Sequence, residues 1–97
     1  MYGTVARMQV KPGMEADFLA FLDEVNHGGG IPGMVSEHLY QAENEPGVHY
    51  MAVVFENKAA YVANANDPAM HARYERYRAM LTAEPEWHDG EVVWPRA

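Results

Sequence analysis

The sequence predicts an α+β fold, a ferredoxin-like β-α-β-β-α-β sandwich in which residues 1–97 form a single domain. Its strand segments carry apolar residues at every second position, and its helical segments carry them at every third or fourth position. These segments follow one another as two β-α-β half-units. Right-handed crossovers in both halves give the strand order 4-1-3-2 and place both helices on one face of the sheet.

The first half-unit opens with a strand over Thr4–Val10, in which apolar and polar residues alternate. Lys11-Pro12-Gly13 breaks this pattern, and a helix follows. Residues 26–33 end that helix; their triplet Gly28-Gly29-Gly30 is predicted to be a loop, because a phosphate-binding loop needs a preceding strand and a following lysine. The apolar stripe of the helix comprises Met14, Phe18, Phe21, Leu22 and Val25.

A β-hairpin is predicted next, with strands over Met34–Ala42 and Val48–Phe55 joined by a turn at residues 43–47. His38 and Tyr40 share one face of its first strand. Both faces of the second strand are apolar, which requires that both faces of the sheet be covered. The face of the first strand opposite His38 carries Val35 and Leu39.

The second half-unit begins with an alanine-rich segment, residues 57–66, that is predicted to be helical. Asp67 and Pro68 form an N-cap and a first-turn proline, which start a helix in a new direction. Glu84-Pro85 is expected to end this helix. The buried stripe of the helix is predicted to comprise Met70, Tyr74, Tyr77 and Leu81.

The last strand is predicted over Glu91–Trp94, after a turn at Asp89-Gly90. Because both helices cover the same side of the sheet, the apolar residues on its other side need a separate cover. A second copy of the chain is the simplest one, so a homodimer is expected.

The composition of the chain gives expectations for its cellular location and for the kinds of partner it binds. The chain has no cysteine, which excludes disulfides and thiolate chemistry and fits a reducing compartment, so a cytoplasmic location is expected. Its apolar runs are far shorter than the roughly 20 residues that cross a bilayer, so no membrane association is expected. Lys and Arg number 7 against 14 Asp and Glu, and this net charge of -7 argues against a nucleic-acid partner.

Taken in order, several short motifs resemble the antibiotic biosynthesis monooxygenase-like domains of the dimeric α+β barrel superfamily. The resemblance covers nearly the whole chain and rests on the order and spacing of the motifs. They are Val10-Lys11-Pro12-Gly13, Pro32-Gly33, Phe55-Glu56, Asp67-Pro68 and the closing stretch Pro85 to Glu91.

The resemblance implies a homodimer whose two sheets face each other in a barrel, with a pocket between sheet and helices in each subunit. Members of this group oxidise phenolic polyketides or quinols with dioxygen and need no metal or flavin. The expected function is therefore a cofactor-independent monooxygenase, an oxidoreductase acting on a small phenolic or quinone-like molecule. The alternative is a non-catalytic dimer of the same fold that binds a small molecule.

Other members of the group degrade heme, and they carry an asparagine on the first strand and a tryptophan and a histidine on the second helical segment. The corresponding positions here hold Ala6, Asn64 and Tyr74, which argues against heme degradation. His71 lies about one turn before Tyr74. It keeps a heme-degrading alternative open.

Two histidines are the candidate catalytic bases. His38 shares its strand face with Tyr40, and a histidine among tyrosines can deprotonate a phenol near neutral pH. His71 lies in the first turn of the last helix, where the helix dipole favours a neutral imidazole. For each of them, a structural or solvent-exposed role is the alternative.

The candidate substrate-binding residues are aromatic, apart from one asparagine that could orient a substrate hydroxyl. The alternative for all of them is a place in the core or on the surface. They are Tyr40, Tyr50, Phe55, Asn64, Tyr74 and Trp87.

A metal site is a third alternative, because the chain has five histidines. None of them forms a pair at the close spacing typical of metal ligands, so no metal ligands are assigned and no cofactor is expected. They are His27, His38, His49, His71 and His88.

Overall fold

The computed structural model describes residues 1–27 and 30–95, with the backbone alone at His27. Gly28 and Gly29 of the predicted loop lie outside the described residues. The elements in chain order are β1 (Tyr2–Gln9), α1 (Glu15–His27), β2 (Met34–Gln41), β3 (Val48–Phe55), α2 (Lys58–Ala65), α3 (Pro68–Arg78) and β4 (Glu86–Glu91).

The four strands form one sheet in the order β2-β3-β1-β4, and all neighbouring strands are antiparallel. This confirms both the predicted strand order and the ferredoxin-like α+β class. The bounds predicted for the most apolar strand, Val48–Phe55, are also confirmed. None of the described helices has the length and apolar character needed to cross a membrane.

The helices pack on one face of the sheet, here called the helix face. Register places Thr4 beside Val53 and Ala6 beside Met51 on this face, because paired residues of neighbouring strands point to the same side. The core lies between this face and the helices. Its buried members include Ala6, Met8, Phe18, Phe21, Met51, Val53, Phe55 and Tyr77.

The opposite side of the sheet, here called the open face, carries the residues that alternate with these. Val5 pairs with Ala52, which pairs in turn with His38, so the three form one row across the sheet. Val5 is 48% exposed and Tyr40 is 60% exposed. Large apolar and aromatic side chains therefore remain accessible on this side.

Two asparagine or aspartate caps set the helices of the second half. The Asn57 side chain accepts a hydrogen bond from the Ala60 amide at 2.8 Å and starts α2. The Asp67 side chain accepts from the Ala69 amide at 2.9 Å and starts α3, with Pro68 in its first turn. The predicted restart of the helix at Asp67-Pro68 is thus confirmed.

The prediction for the fourth strand was wrong. The strand is Glu86–Glu91, so Asp89 and Gly90 lie within it and form no turn. It pairs along β1 from Glu86 opposite Arg7 to Glu91 opposite Tyr2. Every one of its residues is exposed, as expected for the edge of a sheet, and the apolar alternation that would reveal a strand is therefore missing.

The predicted end of the last helix was also too late. Helix α3 ends at Arg78, well before Glu84-Pro85. Leu81, which was expected on the helical stripe, is buried but lies in an isolated bridge with Val10. A segment that returns to the sheet keeps its apolar residue in the core without continuing the helix.

Candidate active site

A cavity of about 400 Å³ lies between the helix face and the three helices. This volume falls in the range of small-molecule sites, which are typically mostly apolar with a few polar groups. Helix α1 contributes Phe21, Leu22 and Val25 to its walls, α2 contributes Tyr61, Asn64 and Ala65, and α3 contributes Met70, His71, Arg73, Tyr74 and Tyr77. The sheet side and the loop before β2 supply Thr4, Ile31, Met34, Glu37, Met51, Val53, Phe55, Trp87 and Asp89.

Aromatic rings form much of the wall. The rings of Tyr74 and Tyr77 lie 5.2 Å apart at 31°, and Phe21 lies 6.2 Å from Tyr77. Burial, with a smaller contribution from Tyr74, raises the pKa of Tyr77 far above its usual range. Tyr77 is therefore a neutral phenol that packs in the core.

Tyr61 reaches from α2 to the edge strand of the sheet. Its hydroxyl donates a hydrogen bond to Oδ1 of Asp89 at 2.7 Å. Burial, together with this hydrogen bond, raises the pKa of Tyr61 to about 12. The rings of Tyr2 and Phe55, at 5.2 and 5.5 Å, hold the Tyr61 ring in place.

Thr4 lies directly beside this pair. It is the β1 partner of Asp89 in the β1–β4 register and is only 6% exposed. Its Oγ1 is buried without a hydrogen bond of good geometry. A weak hydrogen bond between the side chains of Thr4 and Tyr61 acts in the opposite direction and lowers the pKa of Tyr61.

Helix α3 places two of its basic residues, His71 and Arg73, on the wall of the cavity. Arg76 pairs with Glu24 of α1 at 2.9 Å, outside the cavity. Arg73, about one turn earlier, lines the cavity and has no ion pair or hydrogen bond among the described residues. His71 lines the same wall and is exposed, so its imidazole is accessible both to the cavity and to water.

The structure brings five of the predicted site residues to this cavity. His71, predicted as a base, lines its α3 wall. The other four are the predicted substrate-binding residues Phe55, Asn64, Tyr74 and Trp87. Their catalytic and binding roles remain predictions.

The structure places the other three predicted residues away from the cavity. His38, Tyr40 and Tyr50 lie on the open face, in rows that include Ala52 and Arg7. The predicted grouping of His38 with Tyr40 on one strand face agrees with this register. A role for these residues in the cavity has no geometric support.

Sequence reasoning missed the polar cluster of Thr4, Tyr61 and Asp89. Asp89 is predicted to lie in a turn, so the predicted elements give no reason to expect its contact with Thr4 and Tyr61. The one available signal was Thr4, a polar residue on the otherwise apolar face of its strand. Such a residue needs a partner when it is buried.

Among the residues whose side chains the structure describes, the histidines do not assemble a metal centre. His49 is buried, with Nδ1 at 3.0 Å from the Gly47 carbonyl oxygen, and its ring lies 6.4 Å from Phe18. Its contacts are those of a core residue. Within residues 1–27 and 30–95, no group of three His, Asp or Glu side chains is placed to hold a metal ion.

Comparison with protein families gives a match over most of the chain. The family model described as antibiotic biosynthesis monooxygenase matches residues 1–76 of the chain. No curated protein matches the sequence.

Several solved structures share the fold. A candidate antibiotic biosynthesis monooxygenase from Chloroflexus aurantiacus J-10-fl is 22% identical, with a TM-score of 0.77 over 99% of this chain and 96% of that chain. A conserved protein from Methanosarcina mazei Go1 is 17% identical, with a TM-score of 0.78 over 92% of this chain and 89% of its own.

A third structure carries a description of activity. It is an asparagine-to-alanine variant of SnoaB, a cofactor-independent oxygenase from Streptomyces nogalater. It is 18% identical to this chain, with a TM-score of 0.76 over 98% of this chain and 97% of its own. At such identities these likenesses establish the fold alone.

Proposed function

Because the chain belongs to the antibiotic biosynthesis monooxygenase family, we propose that it is a cofactor-independent monooxygenase that oxidises a small phenolic or quinol substrate with dioxygen. The supporting observation is the aromatic-lined cavity of about 400 Å³ between the sheet and the helices. SnoaB, which has the same fold, is itself a cofactor-independent oxygenase.

The walls of the cavity suit a flat ring. Tyr74 and Trp87 offer aromatic surfaces, and aliphatic side chains such as Met70 and Val25 fill the space between them. Asn64 supplies an amide on the α2 side. A phenolic ring would bury its apolar surface here and orient its oxygen atoms through the few polar groups.

His71 is the proposed proton acceptor. It lines the cavity and is also exposed, so it can take a proton from a bound phenol and release it to water. Tyr77 is unsuited to the role because its raised pKa keeps it protonated. Deprotonation makes the ring electron-rich enough to react directly with dioxygen.

The oxidation needs no electron source besides the substrate. The deprotonated substrate gives one electron to dioxygen, and the resulting radical and superoxide combine at a ring carbon as a peroxide anion. This anion takes up a proton, from protonated His71 or from water, and becomes a hydroperoxide. Loss of water from that hydroperoxide converts a ring CH₂ of the keto tautomer into a carbonyl. One oxygen atom of dioxygen enters the product and the other leaves as water, so the protein contributes deprotonation, positioning and exclusion of solvent.

A homodimer packed through the open face is part of the proposal. Val5, Val35 and Tyr40 are between 48% and 60% exposed, and Val5 and Tyr40 belong to the open face. A self-complementary contact would cover these side chains with the same face of a second subunit.

The test is dioxygen uptake by purified protein with chelator present, using a panel of naphthols and quinols. We expect uptake above the buffer rate, and a product that carries one atom of isotopically labelled dioxygen. Ala65→Trp should suppress uptake because Ala65 lines the cavity, whereas Ala63→Trp, on the same helix but outside the lining, should not. Binding of the panel without any uptake would support the non-catalytic alternative instead.

A further inference from the structure

We propose that Thr4, Tyr61 and Asp89 form a subsite that binds a hydroxyl group of an aromatic ligand and discriminates against oxygen atoms that cannot donate a hydrogen bond. The three residues line one part of the cavity. The inference rests on the proposed function for the class of ligand, but it concerns recognition and is independent of the reaction.

Three separate elements build the subsite. Thr4 on β1 and Asp89 on β4 are direct partners across the two strands, so their side chains stand next to each other on the helix face. Tyr61 comes from α2, and its hydroxyl lies 2.7 Å from Oδ1 of Asp89. The Tyr61 ring is fixed between Tyr2 and Phe55. The polar cluster is therefore held by the fold.

The buried hydroxyl of Thr4 is the observation that points to a ligand. Thr4 is 6% exposed, and its Oγ1 has no hydrogen-bond partner of good geometry. A buried polar atom without a partner destabilises a folded protein, and almost all such atoms in native structures are satisfied. A polar atom of a bound molecule would supply a partner of good geometry, which the Tyr61 hydroxyl does not.

The chemistry of the three groups selects a hydroxyl. The Asp89 carboxylate only accepts hydrogen bonds, and Tyr61 occupies one of its acceptor positions. The Tyr61 proton is committed to that bond, and the raised pKa of about 12 keeps it in place. The Thr4 hydroxyl can donate or accept. A ligand hydroxyl can donate to Asp89 and accept from Thr4, whereas an ether or carbonyl oxygen would face the carboxylate with lone pairs.

The subsite also sets the orientation of a substrate that carries two hydroxyl groups. A quinol that places one hydroxyl at the subsite leaves its second hydroxyl free for His71, which lines the α3 wall of the same cavity. In the reaction proposed above, the oxygen that faces His71 and a ring carbon become the carbonyl groups. The hydroxyl at the subsite is therefore unchanged and holds the ring in one orientation.

The inference is tested by comparing the affinities of two probes, 1-naphthol and 1-methoxynaphthalene, by calorimetric titration. We expect the wild-type chain to bind 1-naphthol at least about tenfold more tightly, which is the effect of one good hydrogen bond to a charged group. Thr4→Val should lower the affinity for 1-naphthol about tenfold and change the affinity for the ether by less than about twofold. Asp89→Asn should also reduce the preference, because the amide can donate to an ether oxygen.

Thr4→Ser is the matched control, since it keeps the hydroxyl and should keep the preference. Equal affinity of the wild-type chain for the two probes, absence of 1-naphthol binding, or an undiminished preference in Thr4→Val would each overturn the inference. Preference without dioxygen uptake would refute the monooxygenase and leave the subsite standing. Dioxygen uptake by a chain that binds the two probes equally well would refute the subsite and leave the monooxygenase standing.

Discussion

At the scale of single residues, the buried hydroxyl of Thr4 lowers the stability of the fold and is proposed to bind a ligand. Its hydroxyl is buried without a good partner on an otherwise apolar face. Because Thr→Val keeps the shape and removes the hydroxyl, we expect Thr4→Val to raise the free energy of unfolding by about 1 to 2 kcal/mol. Urea denaturation measures this change.

The matched control for that prediction is Thr82→Val. Thr82 is exposed, and its hydroxyl is 3.5 Å from the Gln9 carbonyl oxygen, so its loss should change stability by less than about 0.5 kcal/mol. A lower stability of Thr4→Val would show that the hydroxyl already has a partner within the chain.

Two tyrosines give a prediction for alkaline pH. The pKa of Tyr61 is raised from 10.0 to about 12, and that of Tyr77 is raised further by burial. Since both bind their protons more tightly in the folded state, their contribution to stability is complete below pH 10 and is lost as the pH rises towards 12 and beyond. Urea denaturation at a series of pH values should show the free energy of unfolding falling above pH 10.

Tyr61→Phe should make that fall shallower, because the phenylalanine has no proton to lose. A free energy of unfolding that stays constant or rises between pH 10 and 12 would contradict the assignment of raised pKa values to these two phenols.

At the scale of elements, periodicity predicted the segments that are buried and failed at those that are not. Strand β3 lies in the middle of the sheet, so its apolar residues marked its bounds correctly. Strand β4 lies at the edge with all residues exposed, so the apolar pair Val92-Val93 misplaced it. The end of α3 failed because Leu81 is buried by a bridge to Val10 instead of by a helix.

These errors decided how much of the site was predictable. Helical spacing predicted that Tyr74 faces the sheet, and Tyr74 does line the α3 wall of the cavity. His71, about one turn earlier on the same helix, lines the same wall. The contact of Thr4 with Asp89 depends on the β1–β4 register, which a misplaced strand cannot provide.

The alternation of residues along β2 predicted which side chains share a face. It does not show which of the two faces the helices cover. His38 and Tyr40 were therefore grouped correctly and assigned to the cavity without support from the structure. A β-bulge between Met34 and Ser36 further separates Val35, which is 53% exposed, from Leu39, which packs against the core.

The close approach of β1 to β3 gives a prediction for two glycines that are partners across β1 and β4. A Cβ on Gly3 would lie within bonding distance of the Val53 carbonyl oxygen, whereas a Cβ on Gly90 would meet no atom within 4 Å. We expect Gly3→Ala to lower the free energy of unfolding by about 3 kcal/mol or more, because backbone must move to relieve the clash. Denaturant unfolding provides the measurement.

Gly90→Ala is the paired control and should change stability by less than about 1 kcal/mol. Equal and small effects of the two substitutions would mean that β1 and β3 do not approach each other so closely at Gly3.

At the scale of the whole molecule, the proposed dimer predicts different effects for substitutions at two exposed apolar residues of similar size. Val5 on the open face is 48% exposed, and Leu19 on α1 is 52% exposed. Placing a charge in the centre of a self-complementary interface repeats it in both subunits, so we expect Val5→Lys to give a monomer. Light scattering coupled to size exclusion would report the mass.

Leu19→Lys should leave the dimer intact, because the outer surface of α1 has no part in the proposed interface. Loss of the dimer in Leu19→Lys with retention in Val5→Lys would place the contact between subunits on the helices and contradict a barrel formed by two facing sheets.

The central claim is that the reaction takes place in the cavity on the helix face. The two candidate histidines distinguish this site from one on the open face. His71 lines that cavity, whereas His38 lies on the open face. The most direct measurement is the rate of dioxygen uptake by His71→Ala and His38→Ala with the same quinol. We predict that His71→Ala lowers kcat by about 10² or more while His38→Ala stays within about threefold of the wild-type rate. The reverse pattern, with uptake lost in His38→Ala and kept in His71→Ala, would place the reaction on the open face and contradict the account.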